Sequence, residues 1–168
     1  MGYIIDEEWV NAHYNGEKEF RIPDGVTEIY DDAFRKQVEL ERLTIPEGVV
    51  YIGQYAFHGC VNLQEVSLPS SLIKIDTAAF CDCFILKHID IPENVEEIGQ
   101  WAFRDCEELK SAAFAGHKTE IIEDAFERCS NLLISAPIGS YAVMYAKDNG
   151  IPYITQEKKA KIIDISQR

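Results

Sequence analysis

The sequence has no long uninterrupted apolar segment, although 46% of its 168 residues are hydrophobic. A membrane-spanning helix needs about 20 consecutive, mainly apolar residues, so the sequence predicts no membrane insertion. Residues 1–8 also lack the basic start and apolar core of a signal peptide. We therefore expect a cytoplasmic location. A cell-surface or secreted location is the alternative if a signal has been removed before Met1.

Basic residues are scarce, with 16 Lys and Arg against 29 Asp and Glu, and the formal net charge is −13. Such a field repels nucleic acid backbones and anionic lipid, and no basic stripe offsets it. The sequence therefore predicts no nucleic acid partner. A neutral or cationic protein or peptide is the favoured partner.

Sequence motifs for phosphate binding and catalysis are also missing. The sequence contains no glycine-rich phosphate loop or Walker motif, and its four histidines occupy unrelated positions. Paired carboxylates such as Asp31–Asp32 read as solvated surface, with a weak calcium site as the alternative. We expect a protein that is not an enzyme and needs no cofactor or metal.

What the sequence does have is an internal repeat of 23 residues. The dipeptide Ala-Phe occurs at 33–34, 56–57, 79–80, 102–103 and 125–126, and isoleucine recurs at 29, 52, 75, 98 and 121. Each unit reads L-x-x-I-x-I-P-x-x-V-x-x-I-x-x-x-A-F-x-x-C-x-x-L. The alternating L-x-x-I-x-I predicts a short strand with one buried face. The A-F-x-x-C segment predicts one or two turns of helix.

A proline follows most of these strands and presets a turn. Gly25, Gly48 and Asn94 are expected to take the positive φ that such turns often need. One unit cannot bury its own apolar face, so the units are expected to stack as a solenoid with strands about 4.8 Å apart. Each column then becomes a ladder, in which alanine leaves room for the next coil and phenylalanine fills the core.

The repeat resembles the BspA-type leucine-rich repeat of bacterial and protist proteins over roughly residues 22–132. The resemblance implies an α/β solenoid, a right-handed stack of short parallel strands and brief helical turns with caps at both ends. It implies an N-terminal cap or hairpin over 1–21, about five repeats over 22–135, and a capping helix and strand over 136–155. A charged tail over 156–168 follows, which could add a strand at 162–165. The last repeat lacks the proline and the valine, since Ala115 and Lys118 replace them, so we expect a distorted coil there.

Four of the five cysteines fall in one column: Cys60, Cys83, Cys106 and Cys129. We expect them to be small buried residues whose thiols bond backbone carbonyls, because a straight ladder cannot supply the tetrahedral cluster that zinc needs. Cys81 shares a column with Arg35, His58, Arg104 and Glu127, so it is predicted to face water. It is either a neutral surface substitution or a reactive or dimer-forming thiol.

Two surfaces are candidates for partner binding. The first is the strand face, the outward side chains Arg42, Glu65, His88 and Asp90, because the strand side of leucine-rich repeat proteins commonly binds protein. The second comprises apolar residues in otherwise polar columns: Tyr51, Tyr55, Trp101, Val61, Phe84 and Ile85. Such residues either mark an interaction site or are covered by neighbouring long side chains.

These observations favour a non-catalytic recognition module that binds protein, peptide or glycan on an extended rigid surface. The alternative is a structural or self-assembling unit, a homo-oligomer or a part of a cell-surface adhesion protein.

Overall fold

The computed structural model describes residues 2–156, which stack into a solenoid of about seven turns. The strands are β1 (Tyr3–Ile5), β2 (Glu19–Arg21), β3 (Val26–Ile29), β4 (Arg42–Thr44), β5 (Tyr51–Ile52), β6 (Glu65–Ser67), β7 (Lys74–Ile75), β8 (His88–Ile91), β9 (Glu97–Ile98), β10 (Ser111–Phe114), β11 (Glu120–Ile121), β12 (Leu133–Pro137) and β13 (Tyr153–Gln156); the helices are α1 (Glu7–His13) and α2 (Tyr141–Asp148). The parallel solenoid is confirmed. The helical part of the prediction is confirmed only in part, because both helices belong to the ends of the stack.

Each coil contributes one strand to each side of the stack, and all strand pairs are parallel. One side is a continuous six-stranded sheet, in the order β1-β3-β5-β7-β9-β11, which we call the long sheet. The other side is divided into a three-stranded sheet, β2-β4-β6, and a four-stranded sheet, β13-β12-β10-β8. The strand face therefore crosses a boundary between β6 and β8.

A ladder of stacked phenylalanine rings fills the core between the two sides. Neighbouring ring centroids are 5.0–5.4 Å apart and the rings are inclined by 3–18°. The rings are those of Phe34, Phe57, Phe80, Phe103 and Phe126, and the preceding alanines are buried with them. The expected roles of the Ala-Phe pair are confirmed, because the ring separation matches the spacing between coils.

The segment around each Ala-Phe pair is a run of turns and not a regular helix, so the predicted helical turn is confirmed only in part. In the second coil the Phe57 N–H donates to the carbonyl oxygen of Ala79 in the next coil at 2.7 Å, as the neighbouring coils also do. Tyr55 has φ 56° and Gly59 has φ 73°, which are left-handed values. Left-handed residues at both ends of the segment prevent a helix from propagating. The N–H groups bond alternately within the turn, as that of His58 does to the Tyr55 carbonyl oxygen at 3.0 Å, and from coil to coil.

Positive φ is itself a repeated property of the chain. One column consists of Asp32, Tyr55, Ala78, Trp101 and Asp124, and a second of Lys36, Gly59, Asp82, Asp105 and Arg128. Gly25 and Gly48 also have positive φ, as predicted. The same prediction is wrong for Asn94, which is not among the positive-φ residues of the described chain and whose side-chain amide donates to the Ser70 carbonyl oxygen at 2.8 Å.

The N-terminal segment is not a hairpin. Strand β1 pairs in parallel with β3, and β2 pairs in parallel with β4. Helix α1 connects β1 to β2, and Asp6 caps it by accepting a hydrogen bond from the Trp9 N–H at 2.8 Å. Residues 3–21 therefore continue the stack by a further coil.

The last repeat is distorted in its turn and regular in its strand. Strand β10 keeps register with β8 and β12 through Ala112 and Ala113, so the predicted distortion does not extend to the strand. In the turn, Lys118 is exposed and Thr119 is buried, with its hydroxyl donating to the Val95 carbonyl oxygen at 2.8 Å. The buried position has moved by one residue because lysine cannot occupy it.

Helix α2 closes the C-terminal end as expected. Ser140 caps it, and Ala142, Val143 and Ala146 are buried against the last coil. Strand β13 then pairs with β12. The predicted strand at 162–165 lies outside the described residues. Among residues 2–156, neither helix has the length and apolar character that crossing a bilayer requires.

Candidate functional site

The strand face is built by the alternation of its strands. In β8 the side chains of Ile89 and Ile91 are buried, so those of His88 and Asp90 are exposed. In β6 and β4 the same alternation exposes Glu65 and Arg42. The outward orientation predicted from the repeat is confirmed for all four residues.

Charges on the strand face are unevenly neutralised. Arg42 lies opposite Glu19 and Glu65 in the strand register and forms an ion pair with Glu19. Within residues 2–156, Glu65 and Asp90 take part in no salt bridge. Two free carboxylates therefore flank the boundary between β6 and β8, in a protein that is strongly acidic overall.

Two open depressions lie along this face. The first, of about 260 Å³, is lined by Phe20, Arg42, Glu65 and their neighbours. The second, of about 250 Å³, lies at the sheet boundary and is lined by Leu68, Asp90, Ile91, Pro92, Ala113, Phe114, Ala115 and Gln156. Leu68 is half-buried, whereas its counterparts in the same column are buried. The division of the sheet therefore leaves apolar surface beside the free carboxylate of Asp90.

The aromatic columns behave differently from the strand face. Tyr55 and Trp101 are half-buried. The Arg35 guanidinium lies 5.5 Å from the centre of the Tyr55 ring, and that of Arg104 lies 5.5 Å from the Trp101 ring. Arginine side chains therefore partly cover Tyr55 and Trp101, which both also belong to the first column of positive-φ residues.

Tyr51 is held by its own neighbours. Its hydroxyl donates to the Asp76 carboxylate at 2.7 Å, and burial followed by that hydrogen bond raises the pKa of Tyr51 well above its ordinary value. Phe84 is 37% exposed, whereas Val61 and Ile85 are half-buried. Of these residues, Phe84 presents the most open apolar side chain.

All five cysteines are free thiols. The four thiols of the ladder donate to carbonyl oxygens of the preceding coil at 3.1–3.4 Å, which confirms the predicted structural role. The prediction for Cys81 is wrong. Its side chain is 9% exposed and its thiol points at the Asp82 carboxylate, 3.6 Å away. Burial, and next the negative charge of Asp82, raise the pKa of Cys81 to about 12.

The structure also joins residues that the sequence analysis treated separately. His58, Cys81 and Asp82 offer one donor atom each, and these atoms lie within 4.8 Å of one another. The repeat alignment was sufficient to predict that His58 and Cys81 are neighbours, because they are 23 residues apart and so lie side by side in adjacent coils. The contribution of Asp82 depends on its left-handed backbone, with φ 60°, which the sequence pattern did not indicate.

Comparison with known proteins supports the architecture. The profile of the BspA type leucine rich repeat region matches residues 11–133 in six copies. Solved structures that resemble the chain include a T. pallidum leucine rich repeat protein, with 32% identity and a TM-score of 0.69. The match covers 74% of this chain and 61% of that one. A leucine rich cell surface protein from Faecalibacterium prausnitzii has 30% identity, TM-score 0.67 and coverage of 85% and 34%. A leucine-rich repeat protein from Bacteroides ovatus has 26% identity, TM-score 0.64 and coverage of 71% and 35%.

The chain spans between about a third and three fifths of the length of these three structures. No curated protein matches it in sequence.

Proposed function

This chain belongs to the BspA-type leucine-rich repeat family, and we propose that it is a non-catalytic recognition module that binds a protein or peptide on its strand face. The observation that carries the proposal is the pair of free carboxylates, Glu65 and Asp90, on exposed strand positions, each of which lines an open depression. The depression at Asp90 is lined mainly by apolar residues. A strand face with charged groups beside an apolar hollow can provide both orientation and burial to a bound segment.

The partner should carry positive charge. A net charge of −13 attracts basic segments over a distance, and Glu65 and Asp90 can pair with lysine or arginine at the surface. An apolar side chain between two basic residues would suit the hollow beside Leu68. The partner class is therefore a basic peptide or an exposed basic loop of a protein.

A self-assembling unit is the second candidate function. The F. prausnitzii relative is a cell surface protein and is longer than this chain, which is the size relation expected if this chain corresponds to one segment of a longer surface protein. The exposed side chains of Val38 and Phe84 are the observation in its favour, because they offer apolar surface to a second copy. The cytoplasmic location stays a prediction, and the cell surface is its alternative.

The test is binding of the wild-type chain to an array of basic, neutral and acidic peptides, proteins and glycans, followed by affinity measurement. The variant Glu65→Arg with Asp90→Arg reverses the charge of the strand face. The matched control, Glu28→Arg with Glu120→Arg, makes the same change of charge on the long sheet. We expect the first variant to weaken binding by about tenfold or more and the control to retain most of the affinity.

Equal losses in both variants would show a general effect of charge and not a site on the strand face. Binding only to glycans or acidic peptides would also contradict the proposal. Light scattering on the wild type distinguishes the second candidate, since a stable oligomer that dissociates in Phe84→Asp would favour self-assembly.

A further inference from the structure

Three donor atoms of different chemistry converge between two neighbouring coils, those that contain His58 and Cys81. The His58 imidazole comes from the turn after one Ala-Phe pair, and the Cys81 thiol occupies the same place one coil later. Asp82 follows Cys81 and turns its carboxylate toward both, because its backbone is left-handed. We propose that His58, Cys81 and Asp82 form a binding site for a divalent transition metal ion, with Zn²⁺ as the best match.

The separations between the donors are somewhat wider than those around a tetrahedral ion. Bonds of about 2.0–2.3 Å to nitrogen, oxygen and sulfur, at tetrahedral angles, place the donors roughly 3.3–3.6 Å apart. The Cys81 Sγ lies 3.6 Å from the Asp82 Oδ1, and the His58 Nδ1 lies 3.8 Å from the other carboxylate oxygen, Oδ2. With one donor atom from each residue, the three atoms lie within 4.8 Å of one another. Small side-chain rotations would bring all three donors into ligand positions.

The imidazole provides an independent observation. The His58 Nδ1 is buried and has no hydrogen-bond partner among the described residues. A buried polar atom without a partner is costly and uncommon. A metal ion bound to the Nδ1 lone pair of the neutral ring would satisfy it, with the ring proton on Nε2.

The charges also balance. Binding replaces the Cys81 thiol proton, which is released to solvent, so that one thiolate and one carboxylate neutralise the two charges of the ion. The positive charge of Arg104 acts on Cys81, and the Arg104 Nε lies 3.2 Å from carboxylates of both Asp105 and Glu127. Its charge is therefore already compensated, which leaves the site open to a cation.

The ligand set selects among metals. A thiolate and an imidazole are poor ligands for Ca²⁺ and Mg²⁺, which take oxygen donors, and they suit Zn²⁺. The Asp82 side chain is 34% exposed and that of His58 is 18% exposed, so a water molecule can complete the coordination. The site would link two neighbouring coils at their turns, away from the strand face.

The test uses untagged, metal-free full chain titrated with Zn²⁺ by calorimetry, and with Co²⁺ by absorption spectroscopy. We expect one equivalent of Zn²⁺, the release of about one proton per ion, and a thiolate-to-cobalt charge-transfer band. Cys81→Ser, His58→Gln and Asp82→Asn should each weaken binding by about tenfold or more. The controls His88→Gln and Asp148→Asn, a histidine and an exposed aspartate outside the site, should bind as the wild type does.

Absence of saturable binding below about 100 µM Zn²⁺ would overturn the proposal. So would binding that persists in both Cys81→Ser and His58→Gln, or a cobalt complex without the thiolate band. Circular dichroism establishes that each variant is folded. If Cys81→Ser does not fold, the wild-type cobalt spectrum together with His58→Gln decides the question.

Discussion

The thiol of Cys60 donates a hydrogen bond to the carbonyl oxygen of Phe34 in the preceding coil, at 3.1 Å. Cys83, Cys106 and Cys129 make the same bond to the phenylalanine 26 residues earlier. Each bond thus joins the cysteine side chain of one coil to the backbone of the phenylalanine in the preceding coil. Cysteine suits the position because it is small and apolar and still supplies a weak donor.

This burial predicts a loss of stability at alkaline pH. Burial raises the pKa of Cys60 from its ordinary 9.0 to about 12. A raised pKa in the folded state contributes stability that is fully present below pH 9 and lost as the pH rises toward 12. Urea unfolding from neutral pH upward should therefore show a smaller alkaline loss for Cys60→Ala than for the wild type. Parallel pH profiles for the two proteins would contradict the prediction.

The phenylalanine ladder predicts a large cavity effect in the middle of the stack. Phe80 is fully buried, and its ring stacks between those of Phe57 and Phe103 at 5.0 and 5.4 Å. Phe80→Ala should lower the free energy of unfolding by about 4 kcal/mol, measured by urea denaturation. The control Phe84→Ala, which removes a 37% exposed ring, should cost about 1 kcal/mol. Equal losses would show that the ladder is not the centre of the core.

The left-handed column predicts opposite effects of glycine at matched positions. Lys36 has φ 59° and is exposed, so Lys36→Gly should raise the free energy of unfolding by about 1 kcal/mol. Gly59 occupies the next place in the column, and a Cβ there would lie 3.2 Å from the Lys36 Cγ. Gly59→Ala should therefore destabilise by a similar amount. Lys118→Gly is the control, because Lys118 is exposed and is outside the positive-φ set, and it should lower the free energy of unfolding. An increase for Lys118→Gly would contradict the explanation from backbone conformation.

The contacts of Tyr55 and Trp101 with arginine side chains predict that these two residues contribute to stability but not to partner binding. Tyr55→Ala combined with Trp101→Ala removes two cation–π contacts, each worth about 0.5–1 kcal/mol at a surface. We expect a modest fall in melting temperature and no change in partner affinity or self-association. A loss of partner affinity in the folded variant would identify the aromatic columns, and not the strand face, as the binding surface.

The repeat made the ladders predictable because residues in one column share one environment. Ala56, Phe57 and Cys60 therefore have the positions in the core that the 23-residue spacing implies. Cys81 was misjudged because its column is otherwise polar, and column identity does not show that the His58 and Asp82 side chains shield it. Contacts that depend on backbone conformation, such as the left-handed turn at Tyr55, were likewise not visible in the pattern.

The N-terminal coil illustrates a second limit of the pattern. Strand β1 lies outside the repeat motif, yet it extends the long sheet because its backbone pairs with β3. Parallel pairing depends on main-chain groups that every sequence carries. The resemblance that implied a cap or hairpin over residues 1–21 was therefore not sufficient to assign the topology.

The two sides of the solenoid differ in mechanical continuity. The long sheet carries parallel pairing from β1 to β11 without interruption, whereas the opposite side is divided between β6 and β8. Bending of the stack should therefore concentrate at that boundary, because the long sheet resists deformation and the divided side can widen or narrow between β6 and β8. Glu65 and Asp90 lie on opposite sides of this boundary, so the distance between them can adjust to the length of a bound segment.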